Sequence, residues 1–202
     1  MLKKLLPLVL LISSLSACAP LVVGGAMVGG ALVATDRRSA GMQLEDQSIE
    51  LKTSMRLREQ LADRAHINVN SHNRVVLLSG EVKDEADKQR AQQIASQVDN
   101  VARVVNEIQV GFISSLSSRS TDLVIAAKVK ATLIDARDLM SNAFEVVVER
   151  GEVYLMGRVT EREAHRCAEL VRGIPGVKKV VRVFEILSEE ELARLVPPKN
   201  AN

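Results

Sequence analysis

One cysteine near the start of the chain stands in a sequence that would allow it to be acylated. Cys18 ends the tetrapeptide Leu-Ser-Ala-Cys, which follows a charged start, with Lys3 and Lys4, and an apolar stretch. A positive start, a short apolar stretch and small residues at the cleavage point are typical of a secretory signal. Cleavage before a cysteine exposes a thiol and an amine, and both can carry fatty acids. The pattern predicts a lipoprotein signal peptide over residues 1–17 and lipid modification at Cys18.

Two other interpretations of this segment remain open: an ordinary secretory signal with an incidental cysteine, and a transmembrane helix that starts near Leu2. Pro7 and Pro20 disfavour the helix, because they bracket a span shorter than the roughly 20 residues that cross a bilayer. About three acyl chains on Cys18 would suffice for attachment, since each CH₂ contributes about 0.8 kcal/mol. Ala19 stands where an aspartate would retain a lipoprotein in the inner membrane. We therefore expect a lipid-anchored protein of the outer membrane that faces the periplasm.

Charge and composition restrict the possible classes of function. Cleavage before Cys18 removes two of the 27 basic side chains and leaves 25 to balance 25 acidic ones. The processed chain therefore lacks the basic excess that dominates nucleic-acid binding. Aromatic residues make up only 2% of the chain, which disfavours stacking on bases or sugars. With Cys18 acylated, Cys167 has no disulfide partner, and its helical surroundings predict a small buried side chain. We expect no nucleic-acid partner.

Side-chain arrangements typical of catalysis are missing from the sequence. It contains no G-x-S-x-G, P-loop or HExxH motif. His66, His72 and His165 are expected in loops or on solvated helix faces, with no cysteine or carboxylate at metal-ligand spacing. We therefore predict three surface histidines, no metal site, no cofactor and no enzymatic activity.

An internal repeat organises the rest of the chain. Residues 46–110 align with residues 122–186 at an offset of 76 or 77 positions. The pattern V-x-L-x-G-x-V recurs at residues 76–82 and 153–159. Self-similarity over about this length indicates a duplicated structural unit.

Each repeat has the periodicities of a helix, two strands, a second helix and a third strand. In the second repeat, apolar residues recur every four positions at Ile125, Val129 and Leu133, as on one face of a helix. Apolar and polar residues then alternate on both sides of the Arg150-Gly151 turn, which is typical of a β-hairpin. We therefore predict an α+β fold of two tandem units, each with two helices on a three-stranded mixed sheet.

This pattern, with a glycine late in the second strand and V-x-x-V-V before the third, resembles the BON domain. The order of parts is similar to that of dual-BON outer-membrane lipoproteins. Four features carry this similarity: the signal peptide, a glycine-rich stretch, the segment at residues 34–43 and G-E-V-Y-L-M-G at residues 151–157. The expected parts are a tether and linker at 18–45, BON domains at 46–111 and 119–187, and a tail at 188–202. The resemblance implies binding of anionic phospholipid through the second BON domain, support of envelope integrity and action at division sites.

The first helix of the second repeat is the candidate site of lipid contact. One of its faces gathers small apolar side chains around a cation, which suits shallow insertion beside anionic headgroups. We predict lipid contact at Val124, Ala127, Lys128, Lys130 and Ala131. An ordinary solvated helix face is one alternative. Another is a scaffold that binds an envelope-assembly, division or cell-wall-remodelling protein and contacts lipid only through its anchor.

A second candidate surface lies on the sheet of the second repeat. If the shared apolar positions face the helices, the alternate positions face away, and there the second repeat is the more apolar of the two. Tyr154, Met156, Val181 and Val183 would form a patch large enough to mark an interaction surface. We expect it to be covered by the first repeat, by the tail at residues 192–196 or by a partner protein, in that order. A one-residue error in strand register would exchange the two faces.

Overall fold

The computed structural model describes residues 36–195. Contacts divide the chain into two units, Met1–Asp36 and Arg37–Asn202, and both repeats belong to the second unit. The predicted acylation site Cys18 and the tether lie outside the described residues, as does the chain after residue 195.

The first domain has helices and strands in the predicted order. Its elements are helix α1 (Ala40–Leu61), a 3₁₀ turn (Ala62–Arg64), strands β1 (Ala65–His72) and β2 (Val75–Val82), helix α2 (Glu85–Ser96) and strands β3 (Arg103–Asn106) and β4 (Gln109–Val110). Ser39 caps α1 by accepting a hydrogen bond from Met42 N. Because of this cap, the helix takes in residues 40–45 of the expected linker.

The second domain repeats this order. Its elements are helix α3 (Leu116–Asp135), a 3₁₀ turn (Ser141–Ala143), strands β5 (Glu145–Glu149) and β6 (Glu152–Thr160), helix α4 (Glu161–Arg172) and strand β7 (Lys179–Leu187), followed by helix α5 (Glu189–Leu195). Thr160 and Glu163 form a capping box at the start of α4. Such reciprocal capping satisfies two backbone donors that the helix itself cannot satisfy.

Both sheets are mixed, so the α+β prediction is confirmed. Strands β1 and β2 form an antiparallel hairpin, and β3 and β4 both run parallel to β2. In the second sheet β5 pairs antiparallel with β6, and β7 runs parallel to β6. The third strand of the first sheet is interrupted after Asn106, whose Oδ1 accepts a hydrogen bond from Ile108 N at 3.2 Å. Local bonds of this kind compete with the strand ladder.

Each domain has its own apolar core between its helices and its sheet. Leu78 and Leu155, at equivalent positions of the two repeats, are fully buried in these cores. The neighbouring residues Leu77 and Tyr154 belong to a separate cluster on the opposite face of the sheets. The predicted register is therefore correct, and the alternative with exchanged faces is wrong.

An aspartate at the same position of each repeat holds the hairpin to the first helix. Asp46 accepts hydrogen bonds from the backbone N–H groups of Asn73 and Arg74, each at 2.8 Å. Asp122 does the same for Arg150 and Gly151, at 2.9 and 2.8 Å. These bonds satisfy turn amides that the sheet cannot pair.

The repeated glycine allows the backbone of neighbouring elements to approach closely. Gly80 and Gly157 have φ angles of 109° and 152°. A Cβ atom would lie 2.0 Å from His66 O at the first position and 2.2 Å from Ala143 O at the second. Any side chain would therefore push β2 away from β1 in the first domain and β6 away from the 3₁₀ turn in the second, which explains why both repeats carry glycine here.

Candidate functional site

The residues expected to contact lipid lie on the outward side of α3. The exposed side chains are Val124, Ala127, Lys128, Lys130 and Ala131, whereas Ile125, Val129 and Leu133 are buried. With about 100° of rotation per residue, helix geometry brings the exposed set together on the side away from the core.

This surface is longer and more apolar than predicted. Leu116, Leu123 and Ile134 are 79%, 73% and 70% exposed, and their spacing aligns them with Ala127 along the helix. Lys128 and Lys130 flank this row on its two sides. We refer to Leu116, Leu123, Val124, Ala127, Lys128, Lys130, Ala131 and Ile134 as the α3 face.

Leu116 at the start of the α3 face was missed for a specific reason. The core periodicity begins at Asp122, so nothing apolar and buried marks the first turns of the helix. Ser115 is the signal that could have found them, because its side chain caps the helix by accepting a hydrogen bond from Ser118 N at 3.2 Å. Serine is among the preferred residues at this position.

The outward apolar surface of the second sheet is covered by the first domain. Tyr154, Met156 and Val183 are almost fully buried and cluster with Leu77. The margin of this cluster consists of Val75, Val105, Val147 and Val181. The Tyr154 hydroxyl donates to Glu152 Oε2 at 3.0 Å, and burial, together with that carboxylate, raises the pKa of Tyr154. Of the three expected occupants of this surface, the first repeat is the one that packs against it.

Polar side chains surround the apolar cluster and connect the two domains. Asn68 Nδ2 donates to Glu149 Oε2 at 2.7 Å. On another side, Lys179 Nζ lies 3.5 Å from Glu107 Oε2. The domains therefore share an interface with an apolar centre and a polar rim, the usual anatomy of a specific protein contact.

A buried ion pair joins the segment before α1 to the second domain. Arg37 Nη1 and Nη2 donate to Glu163 Oε2 and Oε1 at 2.8 and 2.7 Å, and Nη1 also donates to Arg158 O at 2.7 Å. Both side chains are at most 5% exposed. Burial alone would raise the pKa of Glu163, but the hydrogen bonds from Arg37 and Thr160 outweigh burial and hold the pKa below its ordinary value.

The next residue contacts the first domain. Arg38 Nη1 donates to Asp46 Oδ2 at 2.8 Å, so consecutive arginines bind different domains. Sequence reasoning singled out this segment only through resemblance. No spacing rule connects Arg37 to Glu163, which is 126 positions away.

Two histidines lie in a different environment from the one predicted. His66 and His72 belong to β1, and His72 is only 6% exposed, so the prediction of loop or solvated positions is wrong for both. Their Nδ1 atoms lie 3.2 Å from Glu81 Oε2 and 3.3 Å from Glu145 Oε2. The polar face of β1 suggested solvent, whereas the second domain lies against it. His165 is exposed on α4, as predicted.

The described cysteine is inert. Cys167 is fully buried, and burial raises the pKa of its thiol to about 12. The prediction of a small buried side chain is confirmed. The thiolate that a reactive cysteine needs is strongly disfavoured.

The fold and the duplicated sequence define the class of protein. The family model of the BON domain matches residues 46–111 and 121–188, which correspond to the two domains. The chain therefore belongs to the BON-domain family.

Several relatives align with most of the chain. The chain is 35% identical over 188 residues to the outer membrane lipoprotein DolP of Haemophilus influenzae, covering 92% of this chain and 97% of that protein. It is 32% identical over 151 residues to the 21 kDa hemolysin of Actinobacillus pleuropneumoniae, covering 74% and 78%. Identity to the osmotically-inducible protein Y of Escherichia coli is 25% over 155 residues, covering 75% and 77%. The chain is thus a DolP-like, dual-BON outer-membrane lipoprotein of the cell envelope.

The helices between residues 36 and 195 include none that is long and apolar enough to span a membrane.

Proposed function

We propose that the protein, acylated at Cys18, binds anionic phospholipid through the α3 face of its second BON domain and thereby supports envelope integrity. The observation that carries this proposal is the exposed apolar row of α3 with a lysine on each side. Such a row enters the boundary between headgroups and acyl chains, while the lysines remain at the level of the phosphates. On this account the protein acts by binding, without catalysis.

The α3 face supplies orientation more than attachment. Each lysine near an anionic surface contributes about 1 kcal/mol, and each leucine that leaves water contributes about 1.5–3 kcal/mol if it is fully buried. Lys128, Lys130 and a partly inserted Leu123 therefore give weak binding without the anchor. When the acyl chains hold the protein at the membrane, the same contacts determine which side faces the lipid.

The first domain differs from the second at two of these positions and provides a control. Gln47 and Ser48 occupy the positions that correspond to Leu123 and Val124, although Lys52 corresponds to Lys128. A contact that depends on Leu123 and Val124 should therefore be specific to the second domain.

Vesicle binding tests the proposal. The Cys18→Ser chain, which lacks the anchor, is mixed with vesicles of zwitterionic lipid alone or with added phosphatidylglycerol, and bound protein is measured by sedimentation. We expect binding only with the anionic lipid, and at least tenfold weaker binding by Val124→Asp with Lys128→Glu, since about 1.4 kcal/mol corresponds to tenfold. The matched control, Ser48→Asp with Lys52→Glu, should bind like the parent. Equal binding by all three chains would exclude the α3 face.

Action at division sites, which the family resemblance implies, belongs to the same proposal. A protein directed by anionic lipid collects where that lipid is concentrated. Fluorescence imaging of the acylated parent and of the Val124→Asp, Lys128→Glu chain tests this part, because only the parent should be enriched there.

A second candidate function, docking of another envelope protein, is favoured by the outward side of α1. Leu44, Leu51 and Met55 are all more than half exposed there, and both Lys52 and Glu59 accompany them. Mixed charge beside an apolar row suits a protein surface better than an anionic membrane. Crosslinking from position 51 in living cells should capture an assembly or division protein if this function is correct, and lipid alone if it is not.

A further inference from the structure

Three side chains that can ligate a metal meet between the two domains. His66 and Glu81 face each other across the β1–β2 ladder of the first domain, and Glu149 comes from β5 of the second. One donor atom from each lies within 4.8 Å of the other two. The cluster is therefore complete only when the domains are packed together.

Both carboxylates are buried and incompletely paired. Glu81 is 0% and Glu149 is 5% exposed, and Oε1 of each has no hydrogen-bond partner. The Oε2 atoms are engaged: Ser114 Oγ lies 3.3 Å from that of Glu81, and Asn68 Nδ2 lies 2.7 Å from that of Glu149. A buried carboxylate oxygen without a partner is costly, and coordination of a metal is one way to compensate that cost.

The nearby positive charge compensates the two carboxylates only incompletely. Arg150 Nη1 lies 3.7 Å from Glu81 Oε1, but the Arg150 side chain is 40% exposed and can turn toward solvent. A divalent cation would supply the positive charge that two neighbouring carboxylates lack.

We propose that His66, Glu81 and Glu149 bind a zinc ion that fastens the second BON domain to the first. One imidazole and two carboxylates form a donor set that suits Zn²⁺, whereas Mg²⁺ and Ca²⁺ prefer oxygen donors alone. Three protein ligands leave the fourth position of a tetrahedral ion for water.

The side-chain movement that zinc binding requires is small. A tetrahedral zinc ion about 2.1 Å from each donor needs donors about 3.4 Å apart. His66 Nδ1 and Glu81 Oε2 are 3.2 Å apart, which is close to that separation, and the unpaired Oε1 of the same carboxylate is an alternative donor. Rotation of the Glu149 side chain would bring the third donor into place.

Zinc titration of the full chain in detergent, after treatment with a chelator, tests the proposal. We expect saturable binding of one Zn²⁺ per chain by calorimetry and a melting temperature that rises with ZnCl₂ concentration, because the ion binds the folded chain with docked domains. Co²⁺ should bind competitively and give the visible absorption of a four-coordinate site. Failure of the folded parent to bind one Zn²⁺ saturably would overturn the proposal.

Variants from both domains test the bridging geometry. Glu149→Gln and His66→Gln should each weaken zinc binding at least about tenfold and abolish the rise in melting temperature. Glu149→Gln removes a buried charge and keeps an acceptor for Asn68, so it should fold without zinc. Glu145→Gln, on the same strand and beside His72, and His165→Gln, on the surface, should bind like the parent. Parent-like binding by Glu149→Gln or by His66→Gln would show that no ion bridges the domains here.

Discussion

Arg37 and Glu163 show how one pair of charges can fix the start of a domain's chain in place. Residues 19–36 join the predicted acylation site to Arg37, whose guanidinium is held by both oxygens of a carboxylate in the second domain. Two parallel hydrogen bonds fix direction as well as distance. Glu163 also caps α4, so the same carboxylate stabilises the helix start and receives the linker. The position at which the chain leaves the second domain is therefore set by these two residues.

Removal of Arg37 should be strongly destabilising. In Arg37→Ala, Glu163 becomes a buried charge without its partner, and we expect a loss of about 3–5 kcal/mol in the free energy of unfolding. Urea denaturation of the parent, the two single variants and Arg37→Ala with Glu163→Gln measures the coupling. The double variant should lose less than the sum of the singles, and additive losses would show that the pair is not coupled.

The same pair predicts how stability depends on pH. Because the pKa of Glu163 is held below its ordinary value of 4.5 in the folded chain, its stabilisation is complete above pH 4.5 and is lost as the pH falls through the folded pKa. Glu163→Gln lacks this titration. Melting temperatures measured at pH values from 7 downward should therefore converge for the two chains in acid. A constant difference at every pH would contradict the assigned pKa.

At the scale of the elements, the two sheets form the interface through which the two small domains pack together. Each domain alone has a sheet with one covered face, and the other face of β6 and β7 carries Tyr154, Met156 and Val183. Burial of that face against Leu77 removes an apolar patch that would otherwise promote association. A domain of about 65 residues buries a smaller fraction of its surface on folding than a larger domain does, so both domains gain stability from this contact.

Charges placed in the interface should separate the domains. Met156→Lys with Val183→Lys puts two cations where the parent side chains are at most 5% exposed, and we expect a loss of more than about 4 kcal/mol in unfolding free energy. Leu51→Lys with Met55→Lys makes the same chemical change on an exposed surface and should melt like the parent. Unchanged melting of the interface variant would mean that the sheets are not packed together in solution.

The elements were predictable wherever a buried face left its period in the sequence. Ile125, Val129 and Leu133 marked the core side of α3, and the alternation around Leu155 marked β6. Features that depend on contact between distant residues left no such signal. The polar face of β1 looked solvated because nothing local shows that Glu145 and Glu149 of another domain lie against His72 and His66. The role of Arg37 could not be predicted either, since its partner Glu163 lies in α4.

The residues predicted to contact lipid share one exposed surface with further apolar side chains, and lipid contact there stays a prediction. Val124, Ala127 and Lys128 were found because they fall between core positions. Leu116, Leu123 and Ile134 were not included, although they contribute the larger side chains. The core pattern shows which side of a helix is buried, but the length of the exposed side is set by the two ends of the helix.

In the whole molecule, Arg37 is held by Glu163 of the second domain, and the same domain carries the apolar, cationic α3 face. The first domain covers the second sheet and leaves the α3 face exposed. On the proposed function, this face enters the membrane surface.

A polarity-sensitive label at Leu123 tests that claim most directly. In Leu123→Cys with Cys18→Ser, labelling is selective because burial raises the pKa of Cys167 to about 12. A nitrobenzoxadiazole label should shift its emission to the blue with phosphatidylglycerol vesicles and stay unchanged with zwitterionic vesicles. The matched label in Leu51→Cys, Cys18→Ser, on α1, should not respond to either. A label at Leu123 that stays in water while the protein sediments with anionic vesicles would contradict the account.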